Sequence, residues 1–226
     1  MPMELRFQPK LPLRFSSIFW TKHEITTTET DTFQYFDTDV FINQDGLHAI
    51  SLNIAASREE SEIKSYHAYR IDGRVGTWGS DHRPILMEDT SNTIVIDHAK
   101  VRPNCMINKV CAQGLGQIVE QSIRRTSGIP IKAIKVLHQG WNSTHSQSVD
   151  FHVNYLLDPH YTTSSLKENA LAAGNLISLR GNVVSIGMDN TWEIQVRYSL
   201  GYRNTTDPLQ SHFTEEKQKT TRTGSD

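Results

Sequence analysis

Near the carboxyl end of the chain, Trp192, Ile194, Val196, Tyr198 and Leu200 occupy every second position. That spacing gathers five large apolar side chains on one face of an extended strand and would scatter them around a helix. It predicts a hairpin of 176–186 with 191–202 across Gly187-Met188-Asp189-Asn190. Ile50, Leu52 and Ile54 alternate with Ala49, Ser51 and Asn53 in the same way. The turn Asn43-Gln44-Asp45-Gly46 joins them to Phe36, Val40 and Ile42, so 32–56 reads as another hairpin. Asp72-Gly73 between 66–71 and 74–78 suits a two-residue type I′ loop. A weaker hairpin pairs 85–87 with 93–97, and Val149, Phe151, Val153 and Tyr155 alternate with Ser148, Asp150, His152 and Asn154. One buried and one wet face per strand is the mark of an antiparallel sheet.

Between these strands the spacing changes. Ile107, Val110, Cys111, Leu115, Ile118 and Val119 recur every three or four residues, Pro103 and Asn104 offer a helix start, and Ser127-Gly128 offers a stop. A central helix is therefore predicted, with Gly114 and Gly116 tolerated because another backbone packs close. A short helix follows over 165–173. The expected fold class is α+β, a mainly antiparallel, sandwich-like sheet with one longer central helix and one short helix. Residues 1–203 read as a single β-rich domain, with 1–22 an edge strand or amino-terminal arm. Residues 204–226 read as a flexible polar tail, because 214–226 contain no large hydrophobic residue. No internal repeat is discernible.

At 226 residues the chain can bury a sizeable core. No export signal or apolar run of membrane-spanning length is present, which points to a cytosolic protein without a transmembrane segment. The two cysteines, Cys105 and Cys111, are too few for a disulfide framework and read as reduced core thiols.

The net charge of −2 conceals two opposed blocks. Residues 98–138 carry Lys100, Arg102, Lys109, Arg124, Arg125, Lys132 and Lys135 against Glu120 alone. Residues 24–64 carry nine acids against Arg58 and Lys64. A basic segment of this kind fits sequence-independent contact with phosphates, whether of nucleic acid or of an acidic membrane surface. The acidic block permits a homo-oligomer in which 24–64 of one copy meets 98–138 of the next. The leading expectation is a non-enzymatic binding or self-assembly protein, coat-like or matrix-like in build as viral structural proteins are, and needing no cofactor.

The alternative is a metal-assisted hydrolase or nuclease. Asp150 and His152, two apart on a strand, project from one face, and with Asp97 and His98 they make a candidate set of metal ligands. A solvated strand face with the same residues is the simpler account. The chain has no P-loop, no Gly-x-Gly-x-x-Gly, no His-Glu-x-x-His and no nucleophile elbow.

Overall fold

The structure, a computed structural model, describes residues 10–26, 32–43, 46–78, 83–96, 101–126, 129–142, 147–157, 168–187 and 191–203. Side chains at 125, 126, 129 and 198–203 lie outside that description, as do the predicted tail at 204–226 and the first nine residues. One continuous sheet of twelve strands accounts for most of the described chain.

The first half contributes β1 (Leu13–Trp20), β2 (Glu24–Ile25), β3 (Phe33–Asn43), β4 (Leu47–Ser57), β5 (Ala68–Trp78), β6 (Arg83–Glu88) and the short β7 (Ile94–Ile96). Strand β1 pairs with β5, β5 with β6, β6 with β4 in parallel, and β4 with β3. The ring closes where the chain beyond β1 bends onto β3. There Lys22 N–H donates to the Asp37 carbonyl at 2.8 Å, and β2 continues the pairing.

The second half contributes β8 (Cys111–Thr126), β9 (Ile129–Asn142), β10 (Gln147–Leu157), β11 (Leu176–Ile186) and β12 (Trp192–Arg203). It repeats the connectivity: β8 with β11, β11 with β12, β12 with β10 in parallel, β10 with β9, and β9 back to β8. Each ring is a five-stranded Greek-key barrel with the strand arrangement of the OB fold. The duplication is invisible in the residues themselves.

The two barrels join edge to edge. Arg14 of β1 lies opposite Gln113 of β8, so β5, β1, β8 and β11 form one sheet across the seam. A single apolar core runs beneath it from Leu13 and Ile71 to Val183 and Val196, with Phe15 of the first barrel meeting Trp192 of the second edge to face at 5.6 Å. Between the barrels, α1 (Pro103–Met106) is a single turn. Asn108 follows it in the left-handed region, at φ 53°. Its amide donates to Phe41 O, its side-chain oxygen accepts from Asn43 N–H, and its carbonyl accepts from Asn182 Nδ2, so one residue ties a loop end of each barrel.

The α+β expectation is overturned. No long helix occurs among the described residues, and 111–126, predicted as its body, is strand β8. Within that segment Ala112, Gly114, Gly116 and Ile118 face the core at alternate positions, which glycine disguises as a helical spacing of larger residues. The close backbone inferred from the glycines is present, with a Cβ on Gly116 falling 2.8 Å from the Leu137 carbonyl oxygen and 2.3 Å from Val136 Cγ1. A side chain crowds both positions as well, the His138 ring. A Cβ on Gly114 or Gly116 would lie 2.7 or 2.8 Å from its Cε1. Of the predicted short helix at 165–173, residues 165–167 lie outside the description and the rest holds a 3-10 turn at Glu168–Leu171.

The hairpins of 33–57 and 176–203 form as predicted. The Asp72-Gly73 turn does not, because β5 runs straight through it. Strands β6 and β7 both pair with β5 rather than with each other. Strand β1 is interior, and Cys105 is exposed. Gly73 is required by close approach, since a Cβ there would lie 2.3 Å from the Met87 carbonyl oxygen. Gly73→Ala should therefore lower unfolding free energy by about 3 kcal/mol in a urea titration, whereas at a solvent-exposed turn the loss would be far smaller.

His138 is buried against Leu115 O, which only accepts, so Nδ1 carries the hydrogen (3.0 Å) and Nε2 accepts from the buried Tyr155 hydroxyl (2.9 Å). Burial pushes its pKa down to about 4 from 6.5. The unfolded chain then binds the extra proton between these values, so stability is full above pH 6.5 and falls as pH drops toward 4. The expected loss is about 3 kcal/mol. Chemical denaturation at pH 7.5, 5.5 and 4 should show this slope, and His138→Asn should flatten it.

Candidate polyanion-binding surfaces

Of the seven basic residues singled out in 98–138, the six that are described fall into groups at opposite ends of β8. Lys100 lies outside the described residues. Arg102 and Lys109 are exposed in the linker just before β8 begins. Arg124, Arg125, Lys132 and Lys135 lie on the two-stranded ribbon where β8 and β9 run on together, with Arg124 opposite Ile131, Arg125 opposite Pro130 and Ile123 opposite Lys132. This ribbon replaces the expected junction of a helix end with a strand.

The ribbon's charge is partly compensated. Register shifts at Val119, so Glu120 rather than its neighbour faces Lys135. Arg124 reaches over the outer surface to Glu193 of β12, which also accepts from Ser185 Oγ. The Glu193 side chain is only 12% exposed, whereas that of Arg124 is 42% exposed. Lys132 is exposed and its neighbour Lys135 is half-buried.

The metal set is not assembled in the described structure. Asp97 and His98 lie outside it. Asp150 and His152 do share the outer face of β10 as predicted, opposite Gln139 and Leu137, and both are exposed. Among the described residues no group of three or more His, Cys, Asp or Glu side chains is placed to hold a metal ion. The acidic block is partly spent inside the first barrel. Lys22 Nζ sits 2.8 Å from Asp39 and 3.7 Å from Asp37, and Arg58 lies 3.7 Å from Glu24. The hydrogen bond to Asp39 raises the Lys22 pKa, although burial works against it.

A second cationic surface escapes any reading of local sequence. On the outer face of the seam, Arg74 of β5 lies directly opposite Arg14 of β1, Arg14 opposite Gln113 of β8, and Gln113 opposite Arg180 of β11. Three guanidinium groups and an amide thus share one cross-strand row over four strands, about 14 Å from end to end. The row is nearly symmetric about the seam, with Arg74 answering Arg180 on the equivalent strand of the other barrel. Arg70, exposed, stands four residues from Arg74 between Ile18 and Ile94, which are 37% and 54% exposed.

Asp89 and Asp72 lie among these arginines. Asp89 accepts from Arg14 at 2.7 Å and from Ser91, and these bonds, that to Ser91 foremost, hold its pKa down. Asp72 lies between Arg70 and Arg74 on β5, opposite Ser16. Arg180 Nε points to Cys111 Sγ at 3.4 Å. Like charges placed directly across a strand pair disfavour the pairing, so the Arg14–Arg74 juxtaposition costs the fold something. Nothing in the spacing of positions 14, 74 and 180 announces the row, because only the strand pairings bring them together.

No protein-family model matches the chain, and no curated protein does. Among solved structures, a deletion mutant of the single-stranded DNA binding protein from Thermus aquaticus is similar over 93% of this chain and 99% of that one. Its TM-score is 0.49 and its sequence identity 10%. A likeness at that level carries no information about ligand. Among the described residues no helix is long and apolar enough to cross a membrane.

The Arg124–Glu193 pair generates a stability prediction. Arg124→Ala leaves a mostly buried carboxylate without its cation, and after allowing for the half-exposed arginine the expected loss is about 1–2 kcal/mol. Urea denaturation of the variant at neutral pH measures it, and a joint Glu193→Gln, Arg124→Ala variant should recover part of the loss.

Proposed function

We propose that this protein binds single-stranded nucleic acid without catalysis, through the outer face of the seam sheet formed by β5, β1, β8 and β11. The observation that carries the reading is the row Arg74, Arg14, Gln113 and Arg180. A line of separated guanidinium groups suits a linear polyanion, whereas a lone phosphate calls for donors that converge. Arg70, with Ile18 and Ile94 beside it, adds an apolar surface next to the charge. Unpaired bases can lie on such a surface, while a duplex offers it only phosphates and groove edges.

The exposed ribbon residue Lys132 and, beside it, Lys135 supply a secondary contact for a longer strand. The ribbon belongs to the strands that in OB barrels commonly meet oligonucleotides or oligosaccharides. Of the partners the charge pattern allows, an acidic neighbouring subunit fits less well, since Asp37, Asp39 and Glu24 already hold cations of their own chain.

Fluorescence anisotropy with a labelled 30-nucleotide oligothymidine across a salt series tests the reading. Wild-type protein should bind with affinity that falls steeply as salt rises, and more tightly than it binds a duplex of equal length. Arg74→Gln with Arg180→Gln should reduce affinity at least about tenfold and lower the magnitude of the log–log salt slope by about 1.4, two phosphate contacts at roughly 0.7 each. Equal binding by this variant and wild type sinks the seam surface as the site. Capture by acidic vesicles with no affinity for oligothymidine would transfer the charge to a lipid partner instead.

A further inference from the structure

The turn that leads into β5 holds an aromatic residue in a conformation that favours glycine. Tyr66 has φ 61°, in the left-handed region, where a bulky side chain is a true outlier. The turn is fixed from several directions. Tyr66 N–H donates to Thr21 O and Lys22 O, the buried Thr21 hydroxyl bonds Lys64 O and His67 O, and the Tyr69 hydroxyl accepts from Lys64 N–H. Those contacts use backbone atoms at 66 and would survive with asparagine or glycine there. The Tyr66 ring is 64% exposed and is not part of the core. The residue therefore strains the chain and returns little burial. Strain of this kind, kept where the surroundings over-determine it, is a mark of functional positions.

We infer that Tyr66 is a base-stacking contact at the far end of the seam surface, an inference that rests on the proposed single-stranded nucleic-acid ligand. Its place in the fold supports that ligand. Tyr66 is anchored to the backbone just past the end of β1 and two residues before β5 begins. Arg70 is four residues further along, and Arg74, in the arginine row, is eight; they lie two and six residues into β5, about 7 and 20 Å from its first residue. The exposed Ile18 and the half-buried Trp20 lie along the same stretch of β1, with Ile18 opposite Arg70 and Trp20 opposite Ala68. A strand that follows the arginine row across the seam and turns at Arg74 to run along β5 thus meets guanidinium groups first and an exposed ring at its far end. A phenol ring stacks on any base and so adds affinity without sequence preference.

The test compares full-length wild type, Tyr66→Asn and Tyr66→Phe for anisotropy with labelled 30-nucleotide oligothymidine and for urea midpoint. Asparagine tolerates positive φ, so Tyr66→Asn should be at least as stable as wild type yet bind about 5–100-fold more weakly. Its salt slope should be unchanged, because no ionic contact is lost. Tyr66→Phe keeps the π face and should bind within about twofold of wild type.

Unchanged affinity in Tyr66→Asn overturns the inference. So does a lowered midpoint in that variant, which would return the ring to a role in folding, and so does an equal loss of affinity in Tyr66→Phe, which would assign the contact to the hydroxyl. If Tyr66→Asn binds normally while the Arg74, Arg180 variant does not, the ligand stands and only the stacking contact falls. If wild type itself does not bind the oligonucleotide, both fall together.

Discussion

Strand β8 has more neighbours than one straight strand can serve, and most of the architecture follows from how it serves them. Its first half bonds β11 on one edge and β1 on the other, and its second half bonds β9. Changing partners along an edge requires a strand that coils, and the extra residue at Val119 supplies the local twist. Closing the second barrel and joining it to the first are therefore the same event. The chain through β1 and β2 makes the equivalent change from β8 to β3, with the bend at 21–23 in place of a bulge.

Where β1, β8 and β9 converge, the core contains a polar group. The His138 ring occupies space that Gly114 and Gly116 leave open, and its two nitrogens are satisfied by Leu115 O and the Tyr155 hydroxyl. A neutral, fully bonded imidazole fills that gap without the penalty of an unpaired buried polar atom. The outer face of the same convergence is where the arginine row crosses from one barrel to the other. A packing solution inside and the arginine row outside thus arise from one strand junction.

The legible parts of the fold were those decided by local alternation. Ile50, Leu52 and Ile54, and likewise Trp192, Ile194 and Val196, point into the core as their spacing requires. The misread parts were those in which glycine stands at a buried strand position. At 112–116 the inward side chains are small or absent, so the larger residues nearby simulate a helical stripe. At Gly73 a residue needed for a backbone contact looks like a turn.

The cationic surface proposed to bind was less legible still. The segment 98–138 is basic along the chain, yet β8 carries its cations to opposite ends, and Arg124 is bound to Glu193. The arginines that do share a surface come from β1, β5 and β11, and only non-local pairing reveals them. The strained Tyr66 is equally silent in sequence, because a backbone angle has no residue signature when the residue there is not glycine or asparagine.

Asn108 has a consequence beyond its own hydrogen bonds. Phe41 and Asn43 on one side and Asn182 on the other are held by a single residue, and β1 and β8 share a ladder beside it, so the barrels are tied at two places. Without any ligand, strand pairing therefore sets the spacing of groups across the seam. A guest laid across it must surrender its own freedom while the host surrenders almost none, which is the thermodynamic advantage of a rigid receptor over one that closes around its ligand.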